Sequence, residues 1–360
     1  MSRKNAMTNR QRMEALLRRE KPDRVPHLPI AFGFCTVYAG GTVGDAYAKP
    51  EFFLEAERKA ARDFDRVSYP MIPGNTCLAS EFGGDIKYPV GEYAQAPMIT
   101  RFPAETVEDA MNLKMPDLLN TGTVPKRIEL CNLSSKGQFD NEPFNTMQWV
   151  GGPFTNGSCI VGVETLTKWM LKKKDVANHV LRMATDYYLE LSKKWKEMYG
   201  TENVLCYFGE PSASNQIISP KQFEEFALPY LQELNGKLIE MGYKHIYGHV
   251  CGEQNANLVH WAKIPFGDPG IVSVGHEVEL ETAAEYFPND IIMGNLEPAL
   301  IQTATRDRVY QATADLVKRG KNLKCAGFIF SEGCELPPLS PVENVKAMTD
   351  AINDYGWYDD

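Results

Sequence analysis

Val204-Leu205-Cys206-Tyr207-Phe208-Gly209-Glu210 is a short apolar run closed by a glycine and a carboxylate. A run of this length between breakers reads as a buried strand. From here on the pattern is regular. Ser219-Pro220 caps and opens a helix to about Met241. Lys244 to Tyr247 is the next strand, followed by a turn that carries His249 and Cys251 and by a helix near Gln254 to Ala262. Strands at Ile271–Val274, Ile291–Met293 and Ala326–Phe330 alternate with helices at Leu280–Phe287, Arg306–Arg319 and Val342–Tyr355. Such alternation with short connections means parallel strands joined by right-handed crossovers.

The N-terminal part fits the same plan less cleanly. Thr8 caps a helix to Glu20, which Pro22 stops. Val25 to Phe34 is a first strand ending in Phe32 and Phe34, Pro50 opens a helix to about Phe64, and Val67 to Met71 is a second strand. From Pro73 to Lys114 repeated breakers (Gly83-Gly84, Pro89, Gly91, Pro97, Pro103) interrupt a chain that stays rich in apolar residues, which reads as an inserted hairpin or excursion. A helix at Pro125–Ser135, a strand at Thr146–Val150, a mostly helical Phe154–Leu171 and a long helix capped by Asp175 complete the count. About eight strand–helix units predict a (β/α)8 TIM barrel, one domain over residues 1–360, with an N-terminal helical extension and an insertion at roughly 73–114. No Gly-x-Gly-x-x-Gly follows the first strand, which counts against a dinucleotide fold.

Composition narrows the function. The 360 residues are 43% hydrophobic and 24% charged, with a formal charge of -9. That balance, without a Lys/Arg block, argues against nucleic acid. No apolar run reaches membrane-spanning length, and the first residues, Met1 to Ala6, lack an apolar signal core. The expectation is a cytoplasmic protein whose eight cysteines are reduced thiols. A homodimer is left open.

The chemistry concentrates at strand ends. Glu210, His249, Cys251, His276, Asn295 and Cys334 all follow predicted strands, on the face where barrels place their active sites. His249 and Cys251, two residues apart, share a face of an extended segment, and 82 residues separate Cys251 from Cys334. Two thiolates and one imidazole form a zinc set with an open fourth position. The plainer reading makes both cysteines buried structural thiols and His249 a hydrogen-bonded turn residue. Glu210 is a fourth ligand, a partner for His249, a general base, or a loop cap. His276 orients substrate or is structural. Asn295 offers amide dipoles to a ligand or starts an Asx-turn. Glu332 and Glu335, flanking Cys334, tune a metal or are solvated. Phe32, Phe34, Tyr69, Tyr207 and Tyr247 line a pocket or pack the barrel.

These residues resemble the uroporphyrinogen decarboxylase superfamily over nearly the whole chain. The likeness rests on Arg12-x-x-Ala15-Leu16-Leu17, Lys21-Pro22-Asp23-Arg24-Val25-Pro26, Ile218-Ser219-Pro220 with Phe223 and Phe226, Gly294-Asn295-Leu296-Glu297-Pro298 and Gly333-Cys334-Glu335-Leu336-Pro337-Pro338. It is weakest between about residues 73 and 145. The decarboxylase branch carries an arginine-rich segment after the first strand, whereas this chain has Phe32-Gly33-Phe34-Cys35-Thr36-Val37-Tyr38 there. His249, Cys251 and Cys334 match the zinc triad of the branch that moves methyl groups to or from cobalamin. The resemblance therefore implies zinc and a corrinoid carried on a separate protein. Two directions fit: demethylation of a methyl ether, toward which Phe32, Phe34 and Tyr38 lean the reading, or methylation of a thiol such as coenzyme M. A uroporphyrinogen decarboxylase and a non-catalytic zinc-stabilised binding protein are the remaining alternatives.

Overall fold

The computed structural model describes residues 6–74, 76–90, 96–137, 139–144 and 146–358. The expectations at Gly91 and at Met1 to Asn5 lie outside these residues. The strands, in chain order, are β1 (Asp85–Lys87), β2 (Met98–Arg101), β3 (Thr146–Trp149), β4 (Val204–Gly209), β5 (Ile246–Val250), β6 (Ile271–Val274), β7 (Ile291–Leu296) and β8 (Gly327–Glu332). β1 and β2 pair antiparallel, so the excursion holds the expected hairpin. β3 to β8 form one parallel sheet in sequential order. Each runs in wholly or almost wholly buried residues, as strands covered on both faces do.

The two remaining barrel positions are filled by backbone that makes too few bonds to count as ladder. Segment 25–31 lies along β8: Phe330 N–H donates to Pro26 O at 3.0 Å and Leu28 N–H to Phe330 O at 3.0 Å. Segment 67–72 lies along it in turn, with Val67 N–H donating to His27 O at 2.8 Å. Pro26, Pro29, Pro70 and Pro73 supply no N–H, so continuous ladders cannot form here. Six ladder strands and these two segments make the (β/α)8 arrangement.

Several boundaries differ from expectation for local reasons. The first strand ends at Ala31, and Phe32–Tyr38 is helix. The first helix, with its Thr8–Gln11 capping box, stops at Leu17 because Arg19 takes a positive φ of 61°. The span expected to be mostly helix breaks at Gly162 (φ 84°) into Pro153–Val161 and Val163–Lys172. The long helix is Lys174–Tyr199; Lys173 and not Asp175 is its cap residue, and Asp175 sits in the first turn, where a carboxylate favours the helix dipole. Val176, Val180, Tyr187, Leu191 and Trp195 form this helix's buried face, while Met198 in the last turn is exposed. The helix expected from Pro220 to Met241 is broken at Ala227. β5, β7 and β8 each run further toward the C-terminal face than expected, so His249 and Asn295 are strand residues and not turn residues.

The N-terminal motif closes the other end of the barrel. Arg12 Nε donates to Asp23 Oδ1 at 2.7 Å, and Arg24 donates to Asp65 at 2.9 Å and to Asn353. Both guanidinium groups lie over the Trp357 ring. The motif thus ties the first helix, segment 25–31 and the chain's last helix together. Among the described residues, no helix is long and apolar enough to cross a membrane.

Candidate metal centre

His249 leaves β5 on the same side as Cys251, which stands just past the strand end. Gly252 then turns the chain with φ 78°, a conformation that suits glycine. Cys334 follows β8 directly. One ligand atom from each of His249, Cys251 and Cys334 lies within 4.8 Å of the others. The two sulfurs are 3.6 Å apart and unbonded. Two thiolates about 2.3 Å from a tetrahedral zinc stand ~3.8 Å apart, so the spacing fits.

The imidazole is poised the same way. His249 pairs in register with Ser273 of β6, and its Nδ1 lies 3.0 Å from Ser273 Oγ. When Nδ1–H donates to that hydroxyl, the lone pair is left on Nε2. Nε2 is buried and has no hydrogen-bond partner. A buried imidazole nitrogen left unsatisfied beside two thiols is costly, and a cation would relieve the cost. The thiols are electrostatically linked. Cys251 donates toward Cys334, and with His249 nearby this holds the Cys334 thiol well below its ordinary range; the same bond pushes Cys251 up. A bound cation would take the place of that shared proton, with His249, Cys251 and Cys334 as its ligands.

Ser273 was not singled out from the sequence. The available signal is one hydroxyl in the otherwise apolar run Ile271-Val272-Ser273-Val274, but its meaning depends on register with β5. Ser273→Ala is expected to weaken metal affinity about tenfold to a hundredfold, the usual effect of losing an outer partner of a ligating histidine. Competition against a chromogenic chelator measures it, and an unchanged affinity would refute the role.

The other expected site residues take distinct positions. Glu210 is fully buried, and burial pushes its carboxyl up to about 7 against the pull of its hydrogen bonds. Oε1 accepts from Phe154 N–H at 2.8 Å and Oε2 from Thr155 N–H at 2.7 Å, so it caps helix Pro153–Val161. Gly152 leaves room for it: a Cβ there would stand 2.4 Å from the carboxylate. Glu210→Ala is therefore expected to cost about 2–4 kcal/mol by orphaning two buried donors, with metal content unchanged. Urea unfolding alongside metal analysis separates this from a ligand role.

Asn295 Nδ2 donates to Gly275 O at 2.9 Å and Val278 O at 2.6 Å, fixing the loop after β6. His276, in that loop, is exposed, with Nδ1 3.5 Å from Glu277. Its backbone packs on Gly333, where a Cβ would meet His276 N at 2.7 Å, so it lies beside the Cys334 turn. Tyr207 and Tyr247 pack edge to face at 4.7 Å. Tyr69 meets Tyr247 at 5.9 Å, and Trp149 meets Tyr207 at 5.0 Å. Burial, then Tyr247 and the two thiols, pushes the Tyr207 phenol up. Phe32 touches this cluster through Tyr69, while Phe34 packs away from it. Phe32 packs on Phe53 and Tyr69, and Phe34 on Tyr38 and Phe64. Glu335 Oε1 accepts from Gly33 N–H at 3.1 Å, and Glu332 is buried 3.3 Å from His27 Nε2.

Known proteins resemble this chain over most of its length. Methylcobamide:CoM methyltransferase MtbA of Methanosarcina acetivorans is 25% identical over 366 residues, covering 97% of this chain and 98% of that protein. Methylcobamide:CoM methyltransferase MtaA of Methanosarcina barkeri is 24% identical over 282 residues, 78% of this chain and 77% of that one. A solved methyltransferase from Methanosarcina mazei matches the fold with a TM-score of 0.81 at 21% identity, over 97% of this chain and 99% of that one. The uroporphyrinogen decarboxylase (URO-D) family model matches residues 8–355. Since that match runs from the cap of the first helix to the end of the last, the chain belongs to the uroporphyrinogen decarboxylase family.

Proposed function

We propose that the chain is a zinc-dependent methyltransferase that transfers a methyl group from the corrinoid of a separate protein to a thiol. The observation that carries the reading is the unpartnered His249 Nε2 beside two free thiols 3.6 Å apart. His249, Cys251 and Cys334 would hold the ion and leave a fourth position to the acceptor. Zinc bound there would lower the acceptor thiol's pKa and present it as thiolate. The chain's own residues orient and enclose. Ser273 fixes the imidazole tautomer, Asn295 holds the loop beside the Cys334 turn, and the Tyr69–Tyr247–Tyr207–Trp149 cluster keeps the floor dry. A cytoplasmic setting, where thiols stay reduced, suits the site.

Thiol methylation is better supported than the ether demethylation first favoured. That lean rested on Phe32, Phe34 and Tyr38 as walls for an aromatic ether. Here Phe34 and Tyr38 stack on each other and on Phe64, within the packing between helices Phe32–Tyr38 and Pro50–Asp63. The relatives that cover most of the chain carry the names of thiol methylators.

The test is spectroscopic. Zinc-loaded protein with methylcobalamin and a thiol is expected to consume methylcobalamin. With cob(I)alamin and aryl methyl ethers or methanol it is expected to form none. Methylcobalamin formed from an ether, with no thiol reaction, would reverse the assignment.

A further inference from the structure

The loops that surround the metal centre differ sharply from the rest of the surface in charge. The chain as a whole carries 38 Lys and Arg against 47 Asp and Glu. Yet residues 32–48, 150–162, 210–219, 251–257, 275–279, 297–305 and 333–341, seven of the eight segments that leave the C-terminal ends of the barrel positions, contain neither Lys nor Arg; the eighth, which follows segment 67–72, carries Lys87, Arg101 and Lys114 in its 73–114 part. The seven do contain carboxylates, among them Glu253, Glu277, Glu297 and Glu335. Glu277 lies beside the Cys251 turn: a Cβ on Gly275 would stand 2.4 Å from Glu277 Oε2 and 3.1 Å from Gly252 N.

An anion could still be held at a helix N-terminus, where free N–H groups and the dipole favour negative charge. The helices that begin after β3 and after segment 25–31 already have N-terminal N–H groups taken by this chain's own carboxylates. Glu210 takes the N–H groups of Phe154 and Thr155, and Glu335 takes that of Gly33. The adjoining cations are paired or distant in role: Lys49 with Asp45 at 2.9 Å, Arg101 with Asp85 at 2.7 Å, and Lys87 exposed on β1. His276 is the one imidazole on the rim besides His249, and it faces Glu277.

Resting on the thiol-methylation reading, we infer that the acceptor thiol is neutral or cationic and bears no sulfonate or carboxylate. With the charge of zinc balanced by the two thiolates, an anionic acceptor would meet several carboxylates and, on the seven segments named, no Lys or Arg to pair with. Like-charge juxtaposition of this kind discriminates strongly between ligands.

Three thiols with the same two-carbon chain isolate the charge: 2-mercaptoethanol, cysteamine and coenzyme M. Binding is read without turnover from the sulfur-to-metal charge-transfer band of cobalt(II)-substituted protein, and kcat/KM is read from methylcobalamin consumption. The expected result is that 2-mercaptoethanol or cysteamine exceeds coenzyme M by at least about tenfold in both, with the gap narrowing as salt rises. Equal or better binding of coenzyme M, whether or not Lys87→Ala removes it, would overturn the inference. If cobalt loads but none of the three thiols perturbs its spectrum, the thiol-methylation reading itself fails and the inference with it.

Discussion

Alanine in place of Cys251 or Cys334 is expected to empty the metal site and to lower methyl transfer by more than about a thousandfold. Losing one of three protein ligands must exceed the tenfold to hundredfold that outer partners cost. Each sulfur is needed because the pair does the electrostatic work together. With one thiol gone, the other loses the neighbour 3.6 Å away whose proton it shares, and His249 Nε2 stays unsatisfied. His249→Ala is expected to lose metal as well, while keeping both thiols. Elemental analysis of the purified variants measures occupancy. Loss of the metal should also lower the melting temperature, since an ion that binds only the folded state stabilises it by mass action. Cys206→Ala is the control: Cys206 is fully buried in β4, so its loss should cost stability and leave metal content intact. Full metal in Cys251→Ala or Cys334→Ala would remove the basis of the proposal.

Much of this centre could be read before any coordinates because its ligands sit where local sequence is informative. Cys251 and Cys334 follow apolar strands and neighbour glycines, and strand order alone puts both at one end of a barrel. The two proline-rich barrel segments were harder. Their hydrophobicity reads as strand, but Pro26, Pro29, Pro70 and Pro73 withhold the ladder bonds, so each is held mainly by side chains. Phe32 and Phe34 show a second limit. An apolar run does not reveal which of its residues end the strand and which begin a helix, and that distinction put both rings on a helix, with Phe34 packed on Tyr38 and Phe64. Glu210 and Ser273 show a third. Their partners, the N-terminus of helix Pro153–Val161 and the imidazole of His249, lie on neighbouring elements whose register no local pattern encodes.

Arg66→Met is expected to be the most destabilising single change, at about 3–5 kcal/mol, because it strands a buried carboxylate. Arg66 and Glu57 are 2% and 1% exposed, far below the exposure at which ion pairs become nearly neutral. Arg66 Nη2 donates to Glu57 Oε2 at 3.0 Å and to Cys35 Sγ at 2.7 Å, while Nη1 donates to Val67 O at 3.0 Å. One guanidinium thereby joins helix Pro50–Asp63, helix Phe32–Tyr38 and segment 67–72, at the seam where the prolines have removed ladder bonds. The size of the loss is not the worth of the pair. Replacing both partners, Arg66→Met with Glu57→Leu, removes the stranded Glu57 carboxylate and should recover most of the deficit. The remaining cost is the lost Val67 bond, about 1 kcal/mol. Urea unfolding of the two single variants and the double yields the coupling energy directly. If the double variant is as unstable as the sum of the singles, the pair is not coupled. The seam would then be held by apolar packing around Phe53, Phe64 and Val67, with the ion pair a passenger.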